Sequence, residues 1–555
     1  MIQIISKEVK KATLFLLIII TVGHSIGFAQ KQNTLPRPKL VVGIVVDQMR
    51  WDYLYRYYDR YGSQGFKRML NEGFSCENTM IDYLPTVTAI GHSTIYTGSV
   101  PAIHGIAGND FIIEATGQNM YCTEDSTEHT VGGTSTAGNM SPRNLLTTTI
   151  TDELKLATNF RSKVIGIAIK DRASILPAGH TANAAYWLDN GTGNWISSTY
   201  YMKDLPDWVK ALNAKKLPEK YLKMDWNPLY DIKTYVQSSA DDNRYEGKFT
   251  GVTTSTFPIK TSGMMVGGYD IIRTTPYGNS ITLDMVKEAI DHEGLGKNGV
   301  TDFLAVSFSA PDYVGHKFGV NAIETEDTYL RLDKDLGELF NYLDDKVGKG
   351  SYTVFLSADH GAGHNANFLL DNKIPAGFWN SSAVQNELNT FLETKFGQKN
   401  IVTSLGYGQV RLNNRLIAKN NLPEEAIRKE IVRYLSSKPN FAFVADVAKL
   451  DDAPLPGDLK TKIINGYNAK RSGPITYILE PGWYGGAPNS TGTTHGSWNP
   501  YDAHIPLLWM GWGIKQGASN RPVNMTDIAP TIAGLLHIQM PNGCIGKPIE
   551  EVFKK

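Results

Sequence analysis

Residues 40–47 read Leu-Val-Val-Gly-Ile-Val-Val-Asp. Apolar, mostly β-branched residues follow one another here without alternation, as in a strand buried on both faces. The run stops on a carboxylate, Asp47. The same grammar recurs downstream. A strand over 164–169 stops at Lys170-Asp171-Arg172, and one over 303–308 at Ser309-Ala310-Pro311-Asp312. A third, over 352–356, stops at Ser357-Ala358-Asp359-His360, and residues 505–510 form a late strand. Helical periodicity is expected over 51–71 (closed by Gly73), 145–157, 281–292, 324–343 and 527–536. Strands alternating with helices predict an α/β fold, a mostly parallel sheet flanked by helices. Such sheets bind ligands beyond the carboxyl ends of their strands. The polar residues that close these strands therefore become candidates for one site.

The rest of the chain bounds the answer. With 555 residues, 41% of them hydrophobic, it can bury a large core. Lys+Arg and Asp+Glu both number 55, so the net charge is zero and the basic excess of a nucleic-acid binder is missing. Lys7, Lys10 and Lys11 precede an apolar run, Leu14 to Val22, and Gly27-Phe28-Ala29 follows. That is the pattern of a secretory signal peptide over 1–29, too short to serve comfortably as a membrane anchor. The mature chain, 30–555, is expected to be exported, periplasmic or extracellular, and monomeric. Stretches near 110–143 and 200–258 are rich in Gly, Thr, Asn, Asp, Tyr and Trp with weak periodicity. They are expected as insertions capping the site, and 413–473 as a small subdomain. Cys76, Cys122 and Cys544 allow at most one internal bridge and fit no cysteine metal site.

Any metal must then be held by histidine and carboxylate. Asp47, Asp312 with His316 at i, i+4, Asp359-His360, and His495 in Thr-Thr-His-Gly supply six such ligands. Nitrogen and oxygen donors together suit zinc, and six ligands exceed one four-coordinate ion but suffice for two. Taken singly, each residue has a duller explanation as a cap or a satisfied hydrogen-bonder; the conjunction at successive strand ends raises the odds. Residues 85–92 read Pro-Thr-Val-Thr-Ala-Ile-Gly-His, followed by helical spacing to Gly98. Thr88 falls at that helix's N-terminus, where free N–H groups and the dipole attract phosphate. Gly91-His92-Ser93-Thr94-Ile95 fails as a serine-hydrolase elbow, because Ile95 stands where G-x-S-x-G needs glycine.

The set Asp47, Thr88, Asp312-x-x-x-His316, Asp359-His360 and His495 resembles the alkaline phosphatase superfamily in order and context. The resemblance implies an alkaline phosphatase-like catalytic domain binding two Zn2+. One ion would be held by Asp312, His316 and His495, the other by Asp47, Asp359, His360 and the nucleophile Thr88. Asn109 and Lys170-Asp171-Arg172 are similar to the substrate-binding residues of the PafA-type bacterial enzymes. By that likeness Asn109, Lys170 and Arg172 hold phosphoryl oxygens, Asp171 belongs to the same substrate-binding segment, and no Mg2+ is required. The implied activity is hydrolysis of small-molecule phosphate monoesters through a phosphothreonine intermediate, with a broad substrate range. Thr88 without the C/S-x-P-x-R context argues against a sulfatase. The phosphodiesterase branch shares the zinc ligands but generally lacks the Lys/Arg pair; a relaxed enzyme cleaving both ester classes stays open.

Overall fold

The computed structural model describes residues 35–265 and 268–554. The expected signal peptide over 1–29 lies outside the described residues. The chain divides into a short N-terminal unit, Met1–Arg37, and a body, Pro38–Lys555, which holds the sheet and the site.

Every residue of β1 (Leu40–Val46) is buried, because parallel neighbours flank it on both edges. In chain order the other strands of its sheet are β2 (Phe74–Cys76), β3 (Thr130–Val131), β4 (Val164–Ala168), β5 (Ala184–Leu188), β6 (Trp195–Ser198), β7 (Asp302–Phe308), β8 (Tyr352–Ser357), β9 (Leu507–Gly511) and β10 (Gly517–Ser519). Their spatial order is β10-β2-β9-β8-β1-β7-β4-β5-β6-β3. The central five, β8-β1-β7-β4-β5, run parallel. The fold is α/β, a mostly parallel sheet flanked by helices. β9 differs: it pairs antiparallel with β8, an orientation that a hydrophobic run cannot disclose.

Helix α1 spans Thr88–Thr97 and is buried throughout, ending at Gly98 in the left-handed region. It lies hard against the sheet. A Cβ on Gly91 would collide with the backbone of Asp359, and one on Gly43 with Tyr96 and Phe355. Four other helices surround the site or support it: α2 (Ile150–Ala157), α3 (Asp171–Ala178), α4 (Ala310–Phe318) and α5 (Ile323–Leu343). α2 starts later than periodicity predicts, because Thr149 and Asp152 form a capping box there. The single helix expected over 51–71 is broken into Tyr53–Arg56, Tyr58–Arg60 and Phe66–Glu72. Gly62 N and Phe66 N both donate to the carboxylate of Asp333, on α5, at 2.7 and 2.8 Å, so the chain bends around that side chain.

Residues 110–121 form a hairpin, Asp110–Ile113 with Gln118–Tyr121. Residues 207–222 carry two short helices, Asp207–Ala214 and Leu217–Leu222. A separate antiparallel sheet, built from Val402–Gly406, Gln409–Leu412, Ile475–Leu479 and Phe441–Asp446 in that order, has its own apolar core around Leu388, Val410 and Ile431. All three cysteines are free. Among the described residues no helix is long and apolar enough to cross a membrane.

Candidate active site

The carboxyl ends of β1, β4, β7 and β8 converge. Asp47 follows β1, Lys170 precedes α3, Asp312 lies in the first turn of α4, and Asp359-His360 follows β8. α4 carries His316 on the same face as Asp312, one turn on. His495 arrives from a loop remote in sequence. Two groups result: Asp47, Asp359 and His360, and Asp312, His316 and His495. Within each, the ligand atoms lie within 4.8 Å of one another. The groups adjoin, since the His360 and His495 rings stack with centroids 3.5 Å apart.

The histidines are oriented alike. Each Nδ1 meets a backbone carbonyl: His316 that of Thr493 at 2.9 Å, His495 that of Thr86 at 2.7 Å, His360 that of Gly361 at 3.0 Å. A carbonyl only accepts, so each Nδ1 carries the proton and each Nε2 presents a lone pair inward. Asp47 Oδ1, Asp359 Oδ2 and His360 Nε2 are buried without a hydrogen-bond partner. Buried polar atoms left so are costly unless a cation takes them up. These orphaned atoms fit a metal ion at the first group, and the second group offers the same carboxylate and imidazole donors.

Lys170 is buried between the groups. Its Nζ lies 2.6 Å from Asp47 Oδ2 and 2.5 Å from Asp312 Oδ2, one carboxylate of each. The charges are unevenly settled. Burial and the neighbouring Asp359 push Asp47 well above the ordinary carboxylate range, against the pull of Lys170. Burial works the same way at Asp312, yet His316 and Lys170 outweigh it and hold that acid well below. Burial, then His360 and His316, press His495 well below the usual imidazole value.

Thr88 opens α1, and a helix that begins without a side-chain cap leaves first-turn N–H groups for a ligand. Asn109 Oδ1 accepts one of them, from Ala89 N at 2.9 Å. Its NH2 is the end left able to donate to an anion. Arg172 Nη1 donates to Tyr121 Oη at 3.0 Å. Asp171, next to it, is hydrogen-bonded within the protein. Its carboxylate accepts from Tyr121 Oη at 2.9 Å and Thr123 Oγ1 at 2.6 Å, tying α3 to the 110–121 hairpin region.

Several participants escaped the sequence. Gln48 donates through Nε2 to Asp312 Oδ1 at 2.7 Å and through its backbone N to Asp359 Oδ1 at 3.1 Å, touching both groups. It does so at φ +65°, a strained conformation for glutamine. Its place directly after Asp47 was the only signal. His92, one turn into α1, meets Thr88 O at 2.9 Å and Ser307 Oγ at 3.0 Å, with Asp359 Oδ2 3.4 Å away. Tyr313 lies under the Lys170 ammonium, 4.8 Å from ring centre to Nζ.

The family model of type I phosphodiesterases / nucleotide pyrophosphatases matches residues 41–500. Alkaline phosphatase PafA of Elizabethkingia meningoseptica is 52% identical over 97% of this chain and 98% of its own. The crystal structure of wild-type PafA superposes with a TM-score of 0.92 at 52% identity, covering 94% of this chain and 100% of that one. The chain belongs to this family, as a PafA-type alkaline phosphatase. A PafA-type enzyme of this kind hydrolyses phosphate monoesters, and the two carboxylate–histidine groups are its candidate metal sites. A Myroides odoratus protein named a calcium-transporting ATPase is also similar, 59% identical over 94% of this chain and 96% of its own. A PafA mutant with a Thr, an Asn, a Lys and an Arg replaced together has been crystallised as well, and matches at 51% identity with a TM-score of 0.92.

Proposed function

We propose that this phosphatase binds two zinc ions, one at each carboxylate–histidine group, and cleaves monoesters of varied alcohols through phosphothreonine at Thr88. The observation that carries it is the convergence of two ligand groups with lone-pair nitrogens turned inward beside the helix that Thr88 opens. Zinc bound there would supply fixed positive charge to the phosphoryl and leaving oxygens and lower the pKa of a coordinated hydroxyl. Asp47, Asp359, His360 and Thr88 would hold one ion, and Asp312, His316 and His495 the other. Lys170 Nζ supplies a buried cation at the groups' junction, so no Mg2+ is expected to be needed.

The chain's own residues do the positioning. Asn109, Lys170 and Arg172 bind the phosphoryl oxygens. A monoester carries one more negative charge than a diester, which these two cations favour. Thr88 Oγ1 attacks phosphorus, the P–O bond to the alcohol breaks, and the phosphoryl group is left on Thr88. Water then cleaves the new ester, releasing phosphate and restoring the hydroxyl. Most of the rate comes from placement and charge, as a loose phosphoryl transition state requires. Asp171 acts through Tyr121 to set the Arg172 fork. The residue types replaced in the PafA mutant occur here in the same order, as Thr88, Asn109, Lys170 and Arg172, which supports these roles. An ATPase name on one relative fits the same chemistry, since ATP ends in a dianionic phosphoryl group. The segment 1–29 would direct export to the periplasm or beyond, where the enzyme acts as a monomer.

The test is the ratio of kcat/KM for p-nitrophenyl phosphate over bis-p-nitrophenyl phosphate, with zinc-loaded mature protein at alkaline pH. A ratio far above one is expected. A ratio below one would keep the metal groups and Thr88 but assign the enzyme to diesters.

A further inference from the structure

The start of α5 holds three buried acids in very different company. Glu326 accepts from Ser238 Oγ at 2.7 Å and pairs with Arg60 at 2.8 Å. Asp327 accepts from Trp226 Nε1, Leu229 N and Arg331 Nε at 2.8, 2.6 and 2.7 Å. Glu324 is fully buried as well, yet neither of its carboxylate oxygens makes a hydrogen bond. A buried acid left in that state either keeps its proton or is met by a cation.

The nearest charges to Glu324 are more acids. Residues 241–246 read Asp-Asp-Asn-Arg-Tyr-Glu. Glu246 is buried, and its Oε2 accepts from Asn243 N at 2.9 Å and Ser255 Oγ at 2.7 Å. Asp241 accepts from Phe257 N at 3.1 Å. Burial and then Glu246 push Glu324 well above the ordinary carboxylate range. Asp241 and Asp327 add to this, and its own backbone N–H pulls the other way without bonding to it. Among the described residues no lysine, arginine or histidine pairs with Asp241, Glu246 or Glu324; Lys248 reaches only the adjoining Asp242, at 3.9 Å. The first ligand group shows the same pattern, since Asp47 Oδ1 and Asp359 Oδ2 are also buried without a partner. A cation enclosed by its ligands needs no opening wide enough for water. Here, however, the donors are carboxylates and the Ser255 hydroxyl, with no imidazole or thiol. An all-oxygen set selects Ca2+ or Mg2+ over zinc. A dry, irregular one suits Ca2+, because Mg2+ demands octahedral geometry and keeps several waters.

We propose that Glu324, Glu246 and Asp241 hold one structural Ca2+, which fastens the 241–247 loop to the start of α5. The site lies apart from both carboxylate–histidine groups and does not depend on the phosphatase reading. The loop it fastens braces the second group. Gly247 N donates to Lys317 O, directly after His316, and Gly492 N donates to Tyr245 O, directly before Thr493, both at 2.7 Å.

The test uses zinc-loaded enzyme, freed of calcium with EGTA, resupplied with zinc and desalted. Titration calorimetry with CaCl2 should show one ion per chain, with a Kd of roughly 10^-5 M or below. Calcium at a hundredfold excess over Kd should raise the Tm by about 2–3 °C, and MgCl2 at the same concentration should not. Glu324→Gln keeps the shape and removes the charge. It should weaken calcium binding by roughly a hundredfold or more and abolish the Tm shift while zinc content stays unchanged. Glu246→Gln should act in the same direction, and it carries the test if Glu324→Gln does not fold. Glu326→Gln, on the same turn but already paired with Arg60, should bind calcium as wild type does. No calcium binding in wild type, with an unchanged Tm, would overturn the proposal and leave Glu324 a buried protonated acid. An equal Tm shift in wild type and Glu324→Gln, or with MgCl2, would overturn it too. Calcium binding by an enzyme that hydrolyses no monoester would support this site and sink the catalytic reading alone.

Discussion

The two ligand groups share chemistry but not setting. Asp47, Asp359 and His360 have fully buried side chains, whereas His316 of the other group is 37% exposed. Proton affinities diverge accordingly. Burial lowers the His360 pKa, while Asp312 raises that of His316 despite burial. One group is walled in by β1, β8 and α1; the other sits on α4 and a loop, where His316 meets solvent. A closed group suits holding a nucleophile in one geometry, and an open one suits releasing an alcohol and admitting water. The difference teaches that the same donor types acquire different surroundings from the elements that carry them.

The largest test of this division is Thr88→Ala. Turnover of p-nitrophenyl phosphate should fall by on the order of 10^4-fold or more, as when other nucleophiles are removed, with the melting temperature held within a few degrees. Near wild-type turnover would end the assignment of the closed group to a nucleophile. Next comes Lys170→Ala, which removes the cation contacting both groups. A loss of roughly 10^2–10^3-fold is expected on monoesters, with a smaller loss on diesters; equal losses would mean Lys170 does not read the extra charge. A chelator titration followed by elemental analysis should strip the open group first. The two metals should leave at chelator concentrations differing by roughly tenfold or more, a difference of about 1.4 kcal/mol in affinity. Loss of both in one step would erase the comparison. Tyr121→Phe should raise KM by roughly threefold to tenfold by releasing Arg172 from one hydrogen bond, leaving metal content unchanged in both groups.

The smallest effect concerns the helix that backs the closed group. His104 is fully buried; burial and then Arg471 lower its pKa to about 3. Its Nδ1 accepts from Ile106 N at 3.1 Å, and its Nε2 meets Thr94 of α1 at 3.3 Å. The unfolded chain binds a proton at about pH 6.5 and the folded one does not, so this residue's share of stability is intact above that pH. It is lost progressively as pH falls toward about 3. Thermal unfolding of His104→Gln should show a shallower decline over that window than wild type.

Sequence alone determined the fold class and which residues converge as candidate ligands. Unbroken apolar runs ending on Asp47, Lys170, Asp312 and Asp359 announce buried parallel strands, and strand ends are where such sheets place ligands. Short-range spacing also placed Thr88 at a helix start and Asp312 with His316 on one face. Tertiary structure decided the rest, because those features depend on contacts distant in sequence. Asp333 breaks the helix expected over 51–71 from more than 250 residues away. β9 turns antiparallel beside β8, and hydropathy carries no direction. Asp171 bonds to Tyr121 and Thr123 beside the 110–121 hairpin, because side-chain direction follows from what packs against α3. Gln48 joins both ligand groups only because its backbone adopts φ +65°. Residue order could name candidate ligands; only the packed chain could make three histidines turn the same nitrogen inward.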